Sequence, residues 1–280
     1  LKWAGYGEPP VPEIDGWPAY MEYVKKFQQS DSAKVLFRKH VDFIVQRTNR
    51  YNQLRYVDDP TIMAWQIGNE PRAFSEKNKN TFLYWMSDVA AQIKLLDPNH
   101  MVSSGSEGLQ GCEKDIALFE KIHADSNIDY LNIHIWPYNW GWVKADSLKE
   151  LLLEAKNKTK AYIDKHIAVA EKYAKPIVLE EFGYPRDNFS FIKNTPTTLR
   201  DEYYRYVFDL VHKAKKHNGL LAGCNFWAWG GFANHTLGHI FWEKGDDYMG
   251  DPVQEEQGLN SVFITDSTMK IISEANEQLK

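Results

Sequence analysis

The chain has 280 residues, 43% of them hydrophobic and 25% charged, which is the balance of a globular protein long enough for one large domain. Its net charge of −5 and pI of about 6.0 argue against nucleic acid or an anionic membrane surface as a partner. No apolar run approaches the roughly 18 residues that a membrane span requires. With 10 Trp, 15 Tyr and 14 Phe, the aromatic content suits either an aromatic-rich core or a carbohydrate site, where sugar C–H faces stack on rings.

Residues 1–18 are rich in Pro and Gly and are predicted to be irregular. Two helices are expected next, over about 18–29 and 31–49. The second has an apolar face predicted from Val35, Leu36, Val41, Phe43, Ile44 and Val45. From there strand-like and helical segments alternate. The strands are expected at 61–67, 101–104, 129–135, 176–182 and 222–229, and the helices at about 74–96, 113–124, 145–174, 196–217 and 265–279.

Short apolar strands alternating with longer amphipathic helices are typical of a parallel sheet covered by helices, either a doubly wound open sheet or a (β/α) barrel. Every predicted strand ends in polar or aromatic residues, as in a barrel that collects its site from many strand ends. The pattern therefore favours a (β/α)8 TIM barrel forming a single catalytic domain over residues 1–280. Only five strands are recognisable, so we expect the N-terminal strands to be missing from this chain.

Two segments end a buried strand with a carboxylate. In "MAWQIGNEPR", residues 63–72, an apolar run leads to Glu70 between an asparagine and a proline. In "KPIVLEEFGYPR", residues 175–186, a second run ends in Glu180 and Glu181. Two acids at the ends of parallel strands of one barrel face the same open end of that barrel. A pair of carboxylates placed in this way is typical of a glycosidase. A separation of about 5–5.5 Å would suit a retaining enzyme and about 6.5–9.5 Å an inverting one, and the sequence leaves that choice open.

Five segments in consistent order, between about residue 19 and the C-terminus, resemble glycoside hydrolase family 5 of clan A, and within it the endo-β-1,4-mannanases. They are "AWQIGNEPR" (64–72), "SSGSEG" (103–108), "HIWPYNWGW" (134–142), "VLEEFGYPR" (178–186) and "NFWAWGG" (225–231). The resemblance implies that Glu70 is the general acid/base and Glu181 the nucleophile. Strand alternation is consistent with Glu181 facing the barrel axis and Glu180 the helix layer, but it does not force that choice.

The same resemblance implies substrate-binding roles for other side chains. Asn69 is expected to hydrogen-bond the sugar 2-hydroxyl, and His134 to orient a carboxylate or contact the sugar. Trp136 stands where the wider family usually has a tyrosine, and an indole N–H can donate but cannot accept. The remaining candidates are Trp227 and Trp229 on the last strand, Arg72 and Glu107 on the leaving-group side or as a mutual ion pair, and Trp140 and Trp142 in a loop.

The resulting prediction is a retaining endo-β-1,4-mannanase that hydrolyses β-mannan, glucomannan or galactomannan by double displacement. The alternatives are another family 5 β-glycanase, either cellulase-like or an exo-β-mannosidase, and a non-catalytic, degenerate glycan-binding protein. The reaction needs no cofactor, and no metal is expected, because the acidic loop 243–258 lacks EF-hand spacing. We expect a monomer with a polysaccharide or oligosaccharide substrate, located outside the cell or in its envelope because polymers cannot enter a cytoplasm.

Overall fold

A computed structural model describes residues 1–253 and 255–280, so the acidic loop 243–258 is covered apart from Gln254. The helices are α1 (Pro12–Asp15), α2 (Trp17–Val24), α3 (Asp31–Val45), α4 (Lys79–Leu96), α5 (Ile116–His123), α6 (Leu152–Tyr173), α7 (Thr198–Lys216) and α8 (Thr268–Leu279). The strands are β1 (Ala64–Gln66), β2 (Met101–Ser103), β3 (Leu131–Ile135), β4 (Ile177–Phe182), β5 (Leu221–Cys224), β6 (Trp229–Gly231) and β7 (Val262–Phe263). Short 3₁₀ turns lie at Lys2–Ala4, Lys25–Gln29, Tyr56–Asp58, Glu76–Asn78 and Asp187–Phe189.

The described chain divides into two compact units, Leu1–Asn132 and Ile133–Lys280. In the first unit β1 and β2 pair in parallel, with Trp65 opposite Val102. Helix α4 lies between α3 and α5, and its buried side chains Phe82, Met86, Val89 and Ile93 form much of this unit's core. The prediction of a single domain over residues 1–280 stays a prediction.

In the second unit the sheet order is β3-β4-β5, and β4 and β5 run parallel. Helix α7 packs on β5 and on α8, and its Tyr203, Tyr204 and Phe208 lie against Phe182 of β4. A separate parallel pair joins β6 to β7. Parallel strands alternating with helices confirm the predicted α/β class.

Local sequence explains where several helices begin. The Ser30 hydroxyl accepts a hydrogen bond from the Ala33 N–H at 3.1 Å at the start of α3. The Asp115 carboxylate does the same for α5, accepting from the N–H groups of Ala117 and Leu118 at 2.9 and 3.2 Å. These side-chain acceptors satisfy amide donors that have no partner within the helix.

Three structural predictions are wrong in detail. Residues 1–18 are not wholly irregular, because α1 forms at Pro12, where a proline suits the first helical turn. The apolar face of α3 is narrower than predicted: Val41 and Val45 are buried, but Val35, Leu36 and Phe43 are exposed. No single strand covers 222–229 within the described residues, since β5 ends at Cys224 and Trp229 starts β6.

The break between β5 and β6 results from a change in hydrogen-bonding partner along the chain. The Trp227 N–H still donates to O of Phe182, the last residue of β4, at 3.0 Å, whereas the Ala228 N–H donates to Asn260 O at 3.2 Å. The chain therefore changes its hydrogen-bonding partner between these two residues, and an alternation rule that assumes one continuous strand cannot apply across them.

Candidate active site

In the first unit, Glu70 lies just beyond β1, in a turn that hydrogen bonds to the end of β2. The Ile67 N–H donates to Ser103 O at 3.1 Å, and the Glu70 N–H donates to Gly105 O at 2.9 Å. Glu70 has a φ of +47°, a left-handed conformation that is uncommon for a residue with a side chain. Its side chain is about a quarter exposed and Asn69 is exposed, so both can meet a ligand.

The first unit brings Glu70 together with Arg72 and Glu107. The Arg72 Nε and Nη2 groups both donate to Oε2 of Glu107, and Nη2 lies 3.9 Å from Glu70 Oε2. Burial would lower the pKa of Arg72, but the charge of Glu107 and its hydrogen bond outweigh burial and raise that pKa. The contact between Arg72 and Glu107 that was one of the two expected alternatives is therefore present.

Glu107 is fully buried, and this environment favours its protonated form. Burial is the largest cause that raises the pKa of Glu107, to about 7, and the charge of Glu70 and a hydrogen bond to it act in the same direction. The charge of Arg72 and its hydrogen bond oppose the rise. Near neutral pH, Glu107 can thus hold a proton in hydrogen-bond contact with Glu70.

An open pocket of about 670 Å³ lies beside these residues in the first unit. Its wall includes Trp3, Tyr20, Tyr23, Phe27, Phe74 and Arg72, in addition to Asn69 and Glu70. Aromatic rings beside a carboxylate and a guanidinium form a surface on which a sugar can both stack and hydrogen bond.

In the second unit, Glu181 lies within β4 and is almost completely buried. His134, buried in β3, places its Nδ1 3.1 Å from Glu181 Oε2, so an Nδ1–H can donate to the carboxylate. Along β4, Ile177, Leu179 and Glu181 are buried, whereas Val178 and Glu180 are half-buried. This alternation fits the prediction that Glu181 and Glu180 lie on opposite faces of the strand.

The Trp136 ring and the Trp227 carbonyl both lie close to Gly183, the residue after the end of β4. A Cβ atom added to Gly183 would lie 2.7 Å from Trp136 Cζ3, 3.0 Å from Trp227 O and 3.1 Å from Asn260 Oδ1. Any side chain at position 183 would collide with these groups, so only glycine fits at this end of the strand. Sequence reasoning missed Gly183 and Asn260: a glycine two residues after the carboxylate was a usable signal, whereas nothing near Asn260 in the sequence marks it.

The other tryptophans of the second unit are less enclosed. Trp229 is half exposed at the start of β6. Trp140 and Trp142 pack edge to face at 5.1 Å between ring centroids, and both rings lie against Tyr162 of α6. Each keeps part of its surface accessible, so a sugar-stacking role for them stays a prediction.

One family model matches residues 2–280, and its description is "GH family 5 beta-mannosidase-like". A putative mannan endo-1,4-β-mannosidase of rice is 28% identical over 86% of this chain and 52% of its own length. Mannan endo-1,4-β-mannosidase 7 of Arabidopsis thaliana is 30% identical over 69% of this chain and 46% of its own. The chain thus spans about half the length of these curated relatives.

Among solved structures, a family 5 mannosidase of Rhizomucor miehei in complex with mannosyl-fructose is 29% identical, with a TM-score of 0.87 over 99% of this chain and 67% of its own. An endo-β-1,4-mannanase of Thermotoga petrophila is 25% identical, with a TM-score of 0.67 over 95% of this chain and 56% of its own. These neighbours are (β/α)8 barrel enzymes, which confirms the predicted fold class.

Proposed function

The chain belongs to the β-mannosidase-like group of glycoside hydrolase family 5, and on this premise we propose that it is a retaining endo-β-1,4-mannanase. Its substrates would be β-mannan, glucomannan or galactomannan. The named relatives support this proposal, because they are mannan endo-1,4-β-mannosidases and mannosidases. The observation that carries it is the contrast between two strand-end glutamates: Glu70 contacts a second carboxyl, Glu107, while Glu181 contacts a histidine.

In the first step, the Glu181 carboxylate attacks the anomeric carbon, and the bond from that carbon to the glycosidic oxygen breaks. Glu70 gives its proton to the departing oxygen. In the second step, the Glu70 carboxylate takes a proton from water, the water oxygen attacks the anomeric carbon, and Glu181 leaves. Two inversions return the β configuration.

The surrounding side chains would bind sugar. Asn69 would hydrogen-bond the 2-hydroxyl of the sugar at the cleavage point, a contact that strengthens in the transition state. Trp227 would stack under that sugar, and Trp136 would donate its indole N–H near the nucleophile's strand end. Arg72 and Glu107 would contact sugars on the leaving-group side, and His134 would hold Glu181 in position. Trp229, Trp140 and Trp142 would provide more distant stacking surfaces.

A second candidate, an exo-acting β-mannosidase, is favoured by one observation. The TM-score to the R. miehei mannosidase, 0.87, is well above that to the T. petrophila endo-mannanase, 0.67. The bound ligand of the first structure is mannosyl-fructose, a disaccharide. The two activities differ in whether the sugar-binding cleft is open at both ends, and therefore in the products released from a long chain.

We further propose that the protein is a monomer that acts outside the cell or in the cell envelope, where polymeric mannan is found, and that nucleic acid is not a partner. Among the described residues, no helix has the length and apolar character to cross a membrane. A net charge of −5 gives no general attraction to a polyanion.

The first test is a proton NMR time course of mannohexaose with the protein. Early β-anomer would support retention. Manno-oligosaccharides of intermediate length would support endo action, and mannose alone would support the exo alternative. If the protein bound mannohexaose or cellohexaose but hydrolysed neither, the result would support the alternative that it is a non-catalytic glycan-binding protein.

A second test assigns the acid/base. Glu70→Ala should cleave an aryl β-mannobioside with a good leaving group, and azide should accelerate that reaction and yield a β-mannosyl azide, because azide needs no general base. If azide has no effect on this variant, the role assigned to Glu70 is wrong.

A further inference from the structure

The backbone at Glu70 adopts a conformation that its own side chain disfavours. A φ of +47° places this glutamate in the left-handed region, where the Cβ atom crowds the following carbonyl. Such a conformation persists only when neighbouring contacts impose it. It also determines the direction in which the carboxyl projects from the turn after β1.

One contact at the Glu70 backbone comes from Gly105. The Gly105 carbonyl accepts the Glu70 N–H at 2.9 Å. Gly105 lies two residues beyond Ser103, and Glu70 four residues beyond Gln66, the last paired residues of β2 and β1. Gly105 itself has a φ of +72°, and a Cβ atom added there would lie only 1.7 Å from Gly68 O and 2.9 Å from Gly68 C. The two backbones thus touch where no side chain fits, and this close approach brings the acceptor to Glu70.

Ser104, the residue before Gly105, is fixed by hydrogen bonds of its side chain. Its Oγ lies 2.9 Å from His123 Nε2 and 2.7 Å from Asn132 Oδ1, and it accepts a hydrogen bond from the Ser106 N–H at 3.1 Å. All four residues are buried. The segment before and after Gly105 is therefore tied to α5 and to the start of β3, so the Gly105 carbonyl has little freedom to move.

We propose that Gly105 is a positioning residue for the carboxyl of Glu70, acting through its backbone by contact with Gly68 and by the hydrogen bond to the Glu70 N–H. This inference rests on the proposed function, in which Glu70 gives the proton to the leaving group. Gly105 itself is buried and has no side chain that could take part in the reaction. It would set the position of the Glu70 carboxyl relative to the glycosidic oxygen. A displacement of that carboxyl by about 1 Å is enough to slow proton transfer about 100-fold.

The decisive variant is Gly105→Ala, compared with Gly238→Ala. Gly238 has a φ of +91°, and a Cβ added there meets no described atom within 4 Å, so it reproduces the cost of a left-handed alanine without a collision. On mannohexaose, Gly105→Ala should lose about 100-fold or more in kcat/KM. On 2,4-dinitrophenyl β-mannobioside, whose leaving group departs unprotonated, kcat/KM should stay within about threefold of wild type, because the acid contributes little there. Gly238→Ala should match wild type on both substrates.

Equal losses on the two substrates would overturn the proposal, since a general distortion of the site does not distinguish leaving groups. Amide hydrogen exchange gives a readout that needs no activity. The Glu70 amide should exchange slowly in the wild type and Gly238→Ala, and at least about tenfold faster in Gly105→Ala. If the wild type turns over neither substrate, the proposed function fails. A Glu70 amide that exchanges rapidly in an active wild type would instead refute only the positioning by Gly105.

Discussion

The two candidate catalytic glutamates lie in opposite environments. Glu70 stands in a left-handed turn beyond β1, next to a carboxyl and a guanidinium, Glu107 and Arg72. Glu181 stands inside β4, in extended backbone, next to the imidazole of His134. Glu70 therefore has a carboxyl and a guanidinium as polar neighbours, whereas Glu181 has an imidazole that can donate a hydrogen bond to it. The two glutamates thus differ in their surroundings, as their two proposed roles require.

The two strand ends are also held differently. Behind Glu70 the support is neutral, through the Ser104 hydroxyl, His123 and Asn132. Beyond Glu181 the support is ionic, because Arg186, in the loop after β4, pairs with Asp266, and both side chains are buried. Buried charges cost far more than neutral groups when their partner is removed, so the two ends should differ in their tolerance of mutation.

The largest effect is expected at Glu181, the proposed nucleophile. Glu181→Gln should lower kcat on mannohexaose by at least about 10⁴-fold, because an amide cannot form the glycosyl-enzyme. Glu180→Gln is the matched control on the adjacent position of β4 and should keep a measurable fraction of activity. Steady-state kinetics on both variants check this, and a more damaging Glu180 variant would show that the roles of the two glutamates are reversed.

Breaking the ionic support should cost most in stability. Asp266→Ala leaves the Arg186 guanidinium buried without its carboxylate and removes the acceptor of the Phe263 N–H. We expect a loss of about 3–5 kcal/mol in the free energy of unfolding, measured by urea denaturation. Asp209→Ala, at an exposed position of α7, should change it by less than about 0.5 kcal/mol. If Asp266→Ala also changed the free energy of unfolding by less than about 0.5 kcal/mol, the ion pair with Arg186 would not support the end of β4.

The carboxyl pair predicts a pH dependence of stability. The folded-state pKa of Glu107 is raised to about 7 from an ordinary value of 4.5, so between these values the folded protein binds more protons than the unfolded chain. Its contribution to stability is complete below about pH 4.5 and is lost as pH rises through about 7, a change of about 1–3 kcal/mol.

Glu107→Gln should remove this part of the pH slope, because the amide does not titrate, while its oxygen can still accept hydrogen bonds from Arg72. Urea denaturation from about pH 4 to 8 measures the slope. Glu274→Gln, on an exposed part of α8, is the control that changes the same group at the surface. An identical slope in wild type and Glu107→Gln would show that Glu107 does not hold a proton at neutral pH.

The smallest effect is expected at the neutral support. Ser104→Ala removes one hydroxyl and leaves His123 and Asn132 each short of a buried partner, for an expected loss of about 1–3 kcal/mol. Ser273→Ala, exposed on α8, should be nearly neutral. Thermal and urea unfolding of both variants test this. A Ser104→Ala loss equal to that of Asp266→Ala would remove the contrast between neutral and ionic support.

The sequence by itself determined the fold class and the family. Alternating apolar strands and amphipathic helices specify parallel α/β structure, because each pattern buries one kind of surface. The ordered strand-end motifs indicate the family and identify the two glutamates and the Arg72–Glu107 pair as candidates. Local capping signals at Ser30 and Asp115 also coincide with helix starts.

Only the tertiary structure decided how these residues are supported. The break between Trp227 and Trp229 follows from a change of hydrogen-bonding strand, and the exposure of Val35 and Phe43 from which elements pack on α3. The left-handed backbone of Glu70 and its contact with Gly105 depend on residues 35 positions apart. Sequence patterns report the period of one element, whereas these features arise from close approach between elements, which no local pattern encodes.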